Sequence, residues 1–320
     1  MANSMTDTSP TGHVPVLADE VVDWLVWRDD GVYVDATLGA GGHASLICGK
    51  LSNKGRLFGI DRDPLALEMA GKRLEAWSAN VTLCHSPFGS IGQVLTDEGI
   101  TSVSGVFFDL GVSSMQIDMP ERGFSFRFGG PLDMRMDPGL DQSAADLVNG
   151  LPEDELVSIL RKYGEEPNAR AIARDLCNAR RERLVATCED LVAIIGNRGR
   201  GRPEKTQARV FQALRIAVNR ELEELERGLA GAIDHLEPGG RLVVIAYHSL
   251  EDRIVKDLFR HESAECLCPP GTPVCICGHV PRLKRLTRRV VKPESTELDR
   301  NPRARSARMR VVERLPDDAP

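Results

Sequence analysis

Chemistry in this chain can come from a few clusters of residues. The first is a glycine turn, Gly39-Ala40-Gly41-Gly42, with Asp61 lying 22 positions after Gly39. Glycines let a backbone approach a ligand and adopt positive φ, and a carboxylate at this distance can accept hydrogen bonds from ribose hydroxyls. Asp109 is a second acid of the same kind, and Phe88 offers a ring that could stack on a base. His248, Glu251 and Asp252 follow the apolar run Leu242–Tyr247. They read either as pocket-lining groups or, from Ser249 to Asp252, as a helix cap. Phe124, Phe126 and Phe128 alternate near Arg122 and Arg127. That pattern fits RNA stacking and clamping as well as it fits a half-buried strand. Cys266, Cys268, Cys275 and Cys277 form two C-x-C pairs around a Pro/Gly turn, with His279 beyond. Four thiolates can hold zinc, but C-x-C is tighter than the usual C-x-x-C, and an ordinary thiol-bearing loop is the preferred reading, with no metal assigned. Cys48, Cys84, Cys177 and Cys188 read as small core residues.

The elements that must position these groups follow from the hydrophobic pattern. Val32–Leu38 is a β-branched run ending at the glycine turn, and His43–Lys50 has helical spacing. Arg56–Asp61 is a second strand, and Pro64 opens a helix over Leu65–Leu74. Val81–His85 and Gly105–Leu110 are further strands. Strands alternating with helices at this interval indicate βαβ units and a parallel sheet. The rhythm then stops. Met115–Met136 reads as an irregular loop, Ala144–Cys188 as helical, and Arg209–Leu236 as one long helix. A Pro-Gly turn, Leu236 to Leu242, enters the strand ending at Tyr247, and the tail holds strand candidates at Leu283–Val291 and Ala307–Val312. The expected layout is a discontinuous sheet domain over 13–117 and 206–315. A mostly helical insertion over 118–205 interrupts it as a substrate-recognition element, with a disordered 1–12 and a short tail, 316–320.

The chain has 320 residues, 42% of them apolar, enough for a full core. No apolar run reaches the length of a membrane span, and Met1–Gly12 lacks a basic-then-apolar leader pattern, so a cytoplasmic location without membrane contact is expected. The net charge of -6, from 47 acidic and 41 basic residues, taken alone argues against a nucleic-acid partner. The average hides a gradient. Residues 281–310 hold eleven Lys/Arg against three Asp/Glu, a net +8, which leaves -14 for the remainder. Such a stretch can hold phosphates locally. A second basic patch, Arg198, Arg200, Arg202 and Lys205 among Gly196, Gly199 and Gly201, reads as a loop whose charge is ordinary solvated surface.

The glycine turn admits two ligand classes. Gly39-Ala40-Gly41-Gly42-His43-Ala44 fits G-x-G-x-x-A, which allows a dinucleotide. Asp109, Phe88 and the turn Leu236-Glu237-Pro238-Gly239-Gly240-Arg241-Leu242 lean towards S-adenosylmethionine.

Longer blocks carry a family resemblance. They include Asp109-Leu110-Gly111-Val112-Ser113-Ser114, Glu121-Arg122-Gly123-Phe124-Ser125-Phe126, and Gly130-Pro131-Leu132-Asp133-Met134-Arg135-Met136-Asp137. Further blocks are Tyr163-Gly164-Glu165-Glu166, Phe211-Gln212-Ala213-Leu214-Arg215-Ile216, His248-Ser249-Leu250-Glu251-Asp252-Arg253 and Asn301-Pro302-Arg303-Ala304-Arg305-Ser306. Together, from His13 to about Arg314, the chain resembles the MraW family of ribosomal RNA small-subunit methyltransferases. The resemblance implies an α/β, class I S-adenosylmethionine-dependent methyltransferase fold with an inserted helical domain. It implies methylation of N4 of one cytidine in the decoding region of 16S ribosomal RNA, within the small subunit. It carries donor-binding roles to Gly41, Gly42, His43, Asp61, Phe88, Asp109 and Gln116. A homodimer is admitted as well.

Cytosine N4 is a poor nucleophile until its N–H groups are held, because its lone pair is delocalised into the ring. A carboxylate accepting from N4–H favours localisation, and Asp109 is the candidate by position. The reading in which Asp109 only contacts the donor stays open, as does a share for Ser113 or Ser114. Related amino-methyltransferases carry Asp/Asn/Ser-Pro-Pro-aromatic at this point, so their mechanism does not transfer directly.

Overall fold

A computed structural model describes residues 15–317 apart from 128, 197–202, 270 and 273. The segment 1–12, Phe128, the loop residues Arg198, Gly199, Arg200, Gly201 and Arg202, and the end of the tail lie outside the described residues. In chain order the elements begin α1 (Ala18–Leu25), β1 (Val32–Asp35), α2 (Gly42–Cys48), β2 (Arg56–Asp61), α3 (Pro64–Arg73), β3 (Val81–His85), α4 (Ile91–Asp97) and β4 (Val103–Asp109). Then come α5 (Ser114–Asp118), α6 (Ala144–Gly150), α7 (Glu153–Lys162), α8 (Ala169–Glu182), α9 (Cys188–Ile195), α10 (Pro203–Asn219) and α11 (Glu221–His235). The chain closes with β5 (Leu236–Ala246), α12 (Ser249–Glu262), β6 (Leu283–Arg285), α13 (Ser295–Arg300) and β7 (Arg308–Arg314).

Two compact units result, one of 1–111 with 225–320, the other Val112–Glu224. The first holds a seven-stranded sheet of order β3-β2-β1-β4-β5-β7-β6. Strands β3 to β5 run parallel, while β7 lies antiparallel between β5 and β6. This is an α/β, Rossmann-like sheet. Its two faces are sorted by strand alternation. Phe108, Leu242 and Val244 face one core with Ile91 and Leu95 of α4, Leu229 and Ile233 of α11, and Val255 and Phe259 of α12. Phe107, Val243 and Ile245 face the other core with Val21 and Leu25 of α1, Ile47 of α2 and Ala70 of α3. Because both faces are covered, the central strands β1, β2 and β4 are mostly buried and apolar, whereas the edge strand β3 is half-buried and β7 mixes arginines with apolar residues.

The second unit is helical around Leu156, Leu160, Ile172, Leu176, Leu191, Phe211 and Leu214. Its bounds are wider than the expected 118–205, because α10 supplies Val210, Phe211 and Leu214 to this core. The expected single helix over Arg209–Leu236 is two helices. Arg220, at φ 49°, breaks it in a left-handed conformation, and Leu236 already belongs to β5. Asn219 just before the break is buried. It donates to Met134 O (2.8 Å) and accepts from Met136 N–H (2.8 Å), fixing the stretch expected to be irregular. Within that stretch Leu132 and Met134 are core residues. Phe124 and Phe126 are half-buried against the same core, Phe126 edge-on to Phe211 at 5.7 Å. The Phe/Arg alternation thus supplies packing, with the Arg122 guanidinium bonded to Arg135 O and Met136 O.

Among the described residues no helix is long and apolar enough to cross a membrane.

Candidate active site at the carboxyl edge of the sheet

Three neighbouring parallel strands each end in an aspartate: β2 at Asp61, β1 at Asp35 and β4 at Asp109. The chain leaving β1 is held from both sides. Ala36 N–H donates to Phe107 O (2.9 Å) and Leu38 N–H to Ile60 O (3.0 Å). The glycine turn therefore sits where connections from β1 diverge, the usual ligand position of an open α/β sheet. Gly41 has φ +77°, a conformation L side chains rarely adopt, and a Cβ there would lie 3.3 Å from Ala70 on α3. A Cβ on Gly42 would meet Pro15 Cγ at 3.0 Å. These two glycines make room for protein, whereas a Cβ on Gly39 would meet only Thr37 O, at 4.0 Å.

Asp61 is tied to the turn. Its Oδ2 accepts from Gly39 N–H and its Oδ1 from Asp63 N–H, both at 2.8 Å. Burial pushes its pKa up, and these two donors oppose the shift. A carboxylate offers about four lone-pair sites, so both oxygens keep acceptor capacity for a pair of hydroxyls. These acceptor positions fit the hydroxyls of a ribose.

His43, in the first turn of α2, is buried at 7% exposure. Its Nε2 lies 2.8 Å from Val16 O. A carbonyl only accepts, so Nε2 carries the hydrogen. The other nitrogen, Nδ1, lies 3.7 Å from Asp109 Oδ2, and the ring meets Phe107 edge-on at 4.7 Å. His43 thus links the entry to α1 with the end of β4.

Asp109 receives a bond on its other oxygen. The Tyr247 hydroxyl donates to Oδ1 at 2.7 Å, and Asp109 N–H donates to Thr37 Oγ1 at 2.6 Å. Burial raises the Asp109 pKa, with His43 and Tyr247 working against it, yet the side chain keeps 25% of its surface open. Burial and the adjacent Asp109 charge push the Tyr247 phenol well above its usual range, so it stays a donor. Asp35 sits between the other two acids at 1% exposure. Burial pushes it up to about 8. The charges of Asp109 and Asp61 add to this, and the Thr37 N–H opposes it. Sequence reasoning singled out neither Asp35 nor Tyr247. The available signals were modest: VYVD ends in an acid as RLFGID does, and Tyr247 closes the strand before His248.

Phe88 follows β3 and is half-buried. Its ring is edge-on to Phe108 at 5.8 Å, and the Arg62 guanidinium lies 5.7 Å from its centroid. Gly228 lets α11 approach, since a Cβ there would come within 3.0 Å of the Phe88 ring. The structure thus brings Gly41, Gly42, His43, Asp61, Phe88 and Asp109 to one edge of the first unit. Gln116 belongs to the second unit. There its Oε1 accepts from Ser113 N–H (3.1 Å) while Ser113 Oγ accepts from Gln116 N–H (3.2 Å), a capping box at the start of α5.

His248 is the N-cap of α12 in place of the expected Ser249. Its Nδ1 accepts from Glu251 N–H (3.3 Å), and Glu251 Oε2 accepts from the Tyr247 and His248 N–H groups. Asp252 pairs with Arg310 (2.8 Å) and Arg308 (3.1 Å) of β7. This geometry favours the capping reading of the His248–Asp252 group.

The edge combines acceptors, a clamped carboxylate and concentrated negative potential. That arrangement suits a hydroxylated, cationic ligand better than a phosphate. The whole chain also has known relatives. A ribosomal RNA small subunit methyltransferase H from Thermomicrobium roseum is 48% identical over 317 residues, covering 98% of this chain and 97% of that one. Its counterpart from Citrifermentans bemidjiense is 48% identical over 307 residues, 95% of this chain and 98% of that one. One from Pelobacter propionicus is 49% identical over 308 residues, with the same coverage of 95% and 98%. The model of the MraW methylase family matches residues 10–315, which include every acid of the sheet edge, and this chain belongs to that family.

Proposed function

We propose that this protein methylates small-subunit ribosomal RNA from S-adenosylmethionine, at N4 of one cytidine in the decoding region of 16S RNA. The observation that carries the reading is Asp61, bonded to the glycine turn yet with acceptor capacity left on both oxygens, in a chain 48% identical over nearly its full length to a protein named as a ribosomal RNA small subunit methyltransferase. S-adenosylmethionine supplies an activated methyl group when bound. Gly41, Gly42, His43, Asp61, Phe88, Asp109 and Gln116 are the residues proposed to hold it. Asp61 would accept from the ribose hydroxyls, and the carboxylates of Asp61 and Asp109 would favour a cationic donor.

Asp109 is the proposed acceptor for cytosine N4–H. Its carboxylate is clamped by Tyr247 and needs little reorganisation to accept a further hydrogen bond. Accepting that bond shifts electron density towards N4 and prepares a proton to leave.

RNA would lie against the basic tail, where Lys284, Arg285, Arg288, Arg289 and Lys292 are exposed. Arg308 and Arg310 are instead engaged with Asp252. The compartment proposed is the cytoplasm, where small subunits are found.

Labelled donor incubated with small subunits lacking the modification tests the proposal. Label on N4 of a single cytidine is the expected result. Label on another base, or none on RNA, rejects it.

A further inference from the structure

Between α12 and β6 the chain makes an excursion, 263–281, that has no part in the methyl-transfer reading. Its base is closed by Arg282. The backbone N–H of Arg282 donates to Glu262 O (2.9 Å), its Nε to Glu262 Oε2 (2.6 Å), and a terminal nitrogen to Asp234 (2.8 Å). Beyond that clamp the excursion has little apolar interior. Leu267, Val274, Ile276 and Val280 are all exposed, Ile276 to 85%. Hydrophobic burial does not account for an ordered turn here.

What converges instead is sulfur. The Sγ atoms of Cys266, Cys268, Cys275 and Cys277 all lie within 4.8 Å of one another. The Cys266–Cys275 and Cys275–Cys277 separations are 3.5 Å, Cys266–Cys277 is 3.9 Å and Cys268–Cys275 is 4.0 Å. Four thiolates placed about 2.3 Å from one tetrahedral metal ion are about 3.8 Å apart. The observed separations bracket that value and far exceed the roughly 2.05 Å of a disulfide. All four cysteines are free.

The C-x-C spacing serves this geometry. In extended chain, residues two apart share a face, so each pair presents two sulfurs together and turns the intervening residue away. Leu267 and Ile276 are those intervening residues, and both are exposed. Backbone donors also point at the sulfurs. Leu267 N–H lies 3.4 Å from Cys277 Sγ, and Cys268 N–H lies 3.3 Å from Cys266 Sγ. Such outer donors stabilise sulfur in its anionic, metal-binding form.

We infer that Cys266, Cys268, Cys275 and Cys277 form a closed structural site for one zinc ion, which folds the 263–281 excursion. Four protein ligands leave no open coordination position, so the role is structural rather than catalytic. Metal binding supplies the folding energy that the missing apolar core does not.

The test is elemental analysis of the full chain, purified without added metal or chelator. About one zinc per chain is expected, released in step with mercurial titration of thiols. Cys275→Ser and Cys277→Ser should each hold less than a tenth of that zinc, while Cys84→Ser, away from the cluster, retains it. Cobalt exchanged into the wild-type chain should give the intense visible bands of a tetrathiolate site. Stripping the metal should expose 263–281 to limited proteolysis and leave the sheet intact. Zinc-free protein with all eight thiols titratable would overturn the inference. So would iron at this stoichiometry, or a mass deficit showing disulfides among these four cysteines.

Discussion

Substituting Asp35 by asparagine should make the sheet unit more stable at neutral pH, although it alters a buried residue beside the proposed site. The Asp35 carboxyl is 1% exposed, and burial pushes it up to about 8, with Asp109 and Asp61 adding to the shift. An unfolded chain releases this proton near pH 4. Between those two values the folded state holds a proton that the unfolded state does not. Stability therefore falls as pH rises from about 4 to about 8, and levels off above. At about 1.4 kcal/mol per pH unit, the loss reaches about 4 kcal/mol by pH 7. Asparagine keeps the neutral form at every pH, and its oxygen can still accept from Thr37 N–H. Its extra N–H, if left unpaired, costs about 1–3 kcal/mol. The net gain expected is about 1–3 kcal/mol at pH 7, turning into a loss of about 0–2 kcal/mol at pH 5. Urea unfolding at pH 5, 6, 7 and 8 measures this. Tryptophan fluorescence is a suitable probe, because Trp24, Trp27 and Trp77 all lie in the sheet unit. The difference between the two proteins should widen by about 1.4 kcal/mol per pH unit. Parallel profiles from pH 5 to 8 would refute the reasoning, since they would mean that Asp35 does not hold its proton in the fold.

Two further outcomes follow from the same geometry. Tyr247→Phe removes the 2.7 Å bond to Asp109, of a kind worth about 1.5–3 kcal/mol. Single-turnover methylation should slow by about 10- to 100-fold with donor affinity nearly unchanged, and an unaltered rate would remove Tyr247 from the mechanism. Asp252→Ala deprives Arg310 and Arg308 of their partner and should destabilise the sheet unit by about 2–3 kcal/mol, the partial exposure of Arg308 reducing the effect. Burial works against the Asp252 charge, but Arg310 and Arg308 hold its pKa below the usual range. Its contribution is therefore present above about pH 4 and lost as pH falls further, and acid titration of the variant should lack that loss.

Much of the sheet was legible because its strands are short runs rich in apolar and β-branched residues bounded by turn residues. Arg56–Asp61 and Val81–His85 have the limits expected of them. The glycine turn and Asp61 were legible for a similar reason: a sharp strand-to-helix turn needs glycine, and an acid at the end of the next strand stands out. The break at Arg220 was not legible, because an arginine in left-handed conformation leaves no mark in a helical pattern. Here the buried bonds of Asn219 to Met134 and Met136, some 80 positions away, accompany the break. The Phe124/Phe126 alternation had two equal readings, and only contact with Phe211 and the helical core favours packing.

By itself the sequence determined the parallel α/β class, the interruption by helices, the basic tail on an acidic body, and the family. These depend on residue type and local spacing, which survive in one dimension. Tertiary structure decided which charges meet. Asp35 became a buried acid between two others, with its pKa pushed up, and Tyr247 became the donor to Asp109, because strand order sets β1 beside β2 and β4, and β4 beside β5. It also drew two cysteine pairs into one tetrahedron-sized cluster by closing a loop at Arg282. A pKa or a ligand set depends on distances between residues far apart in the chain, and those distances exist only once the chain has folded.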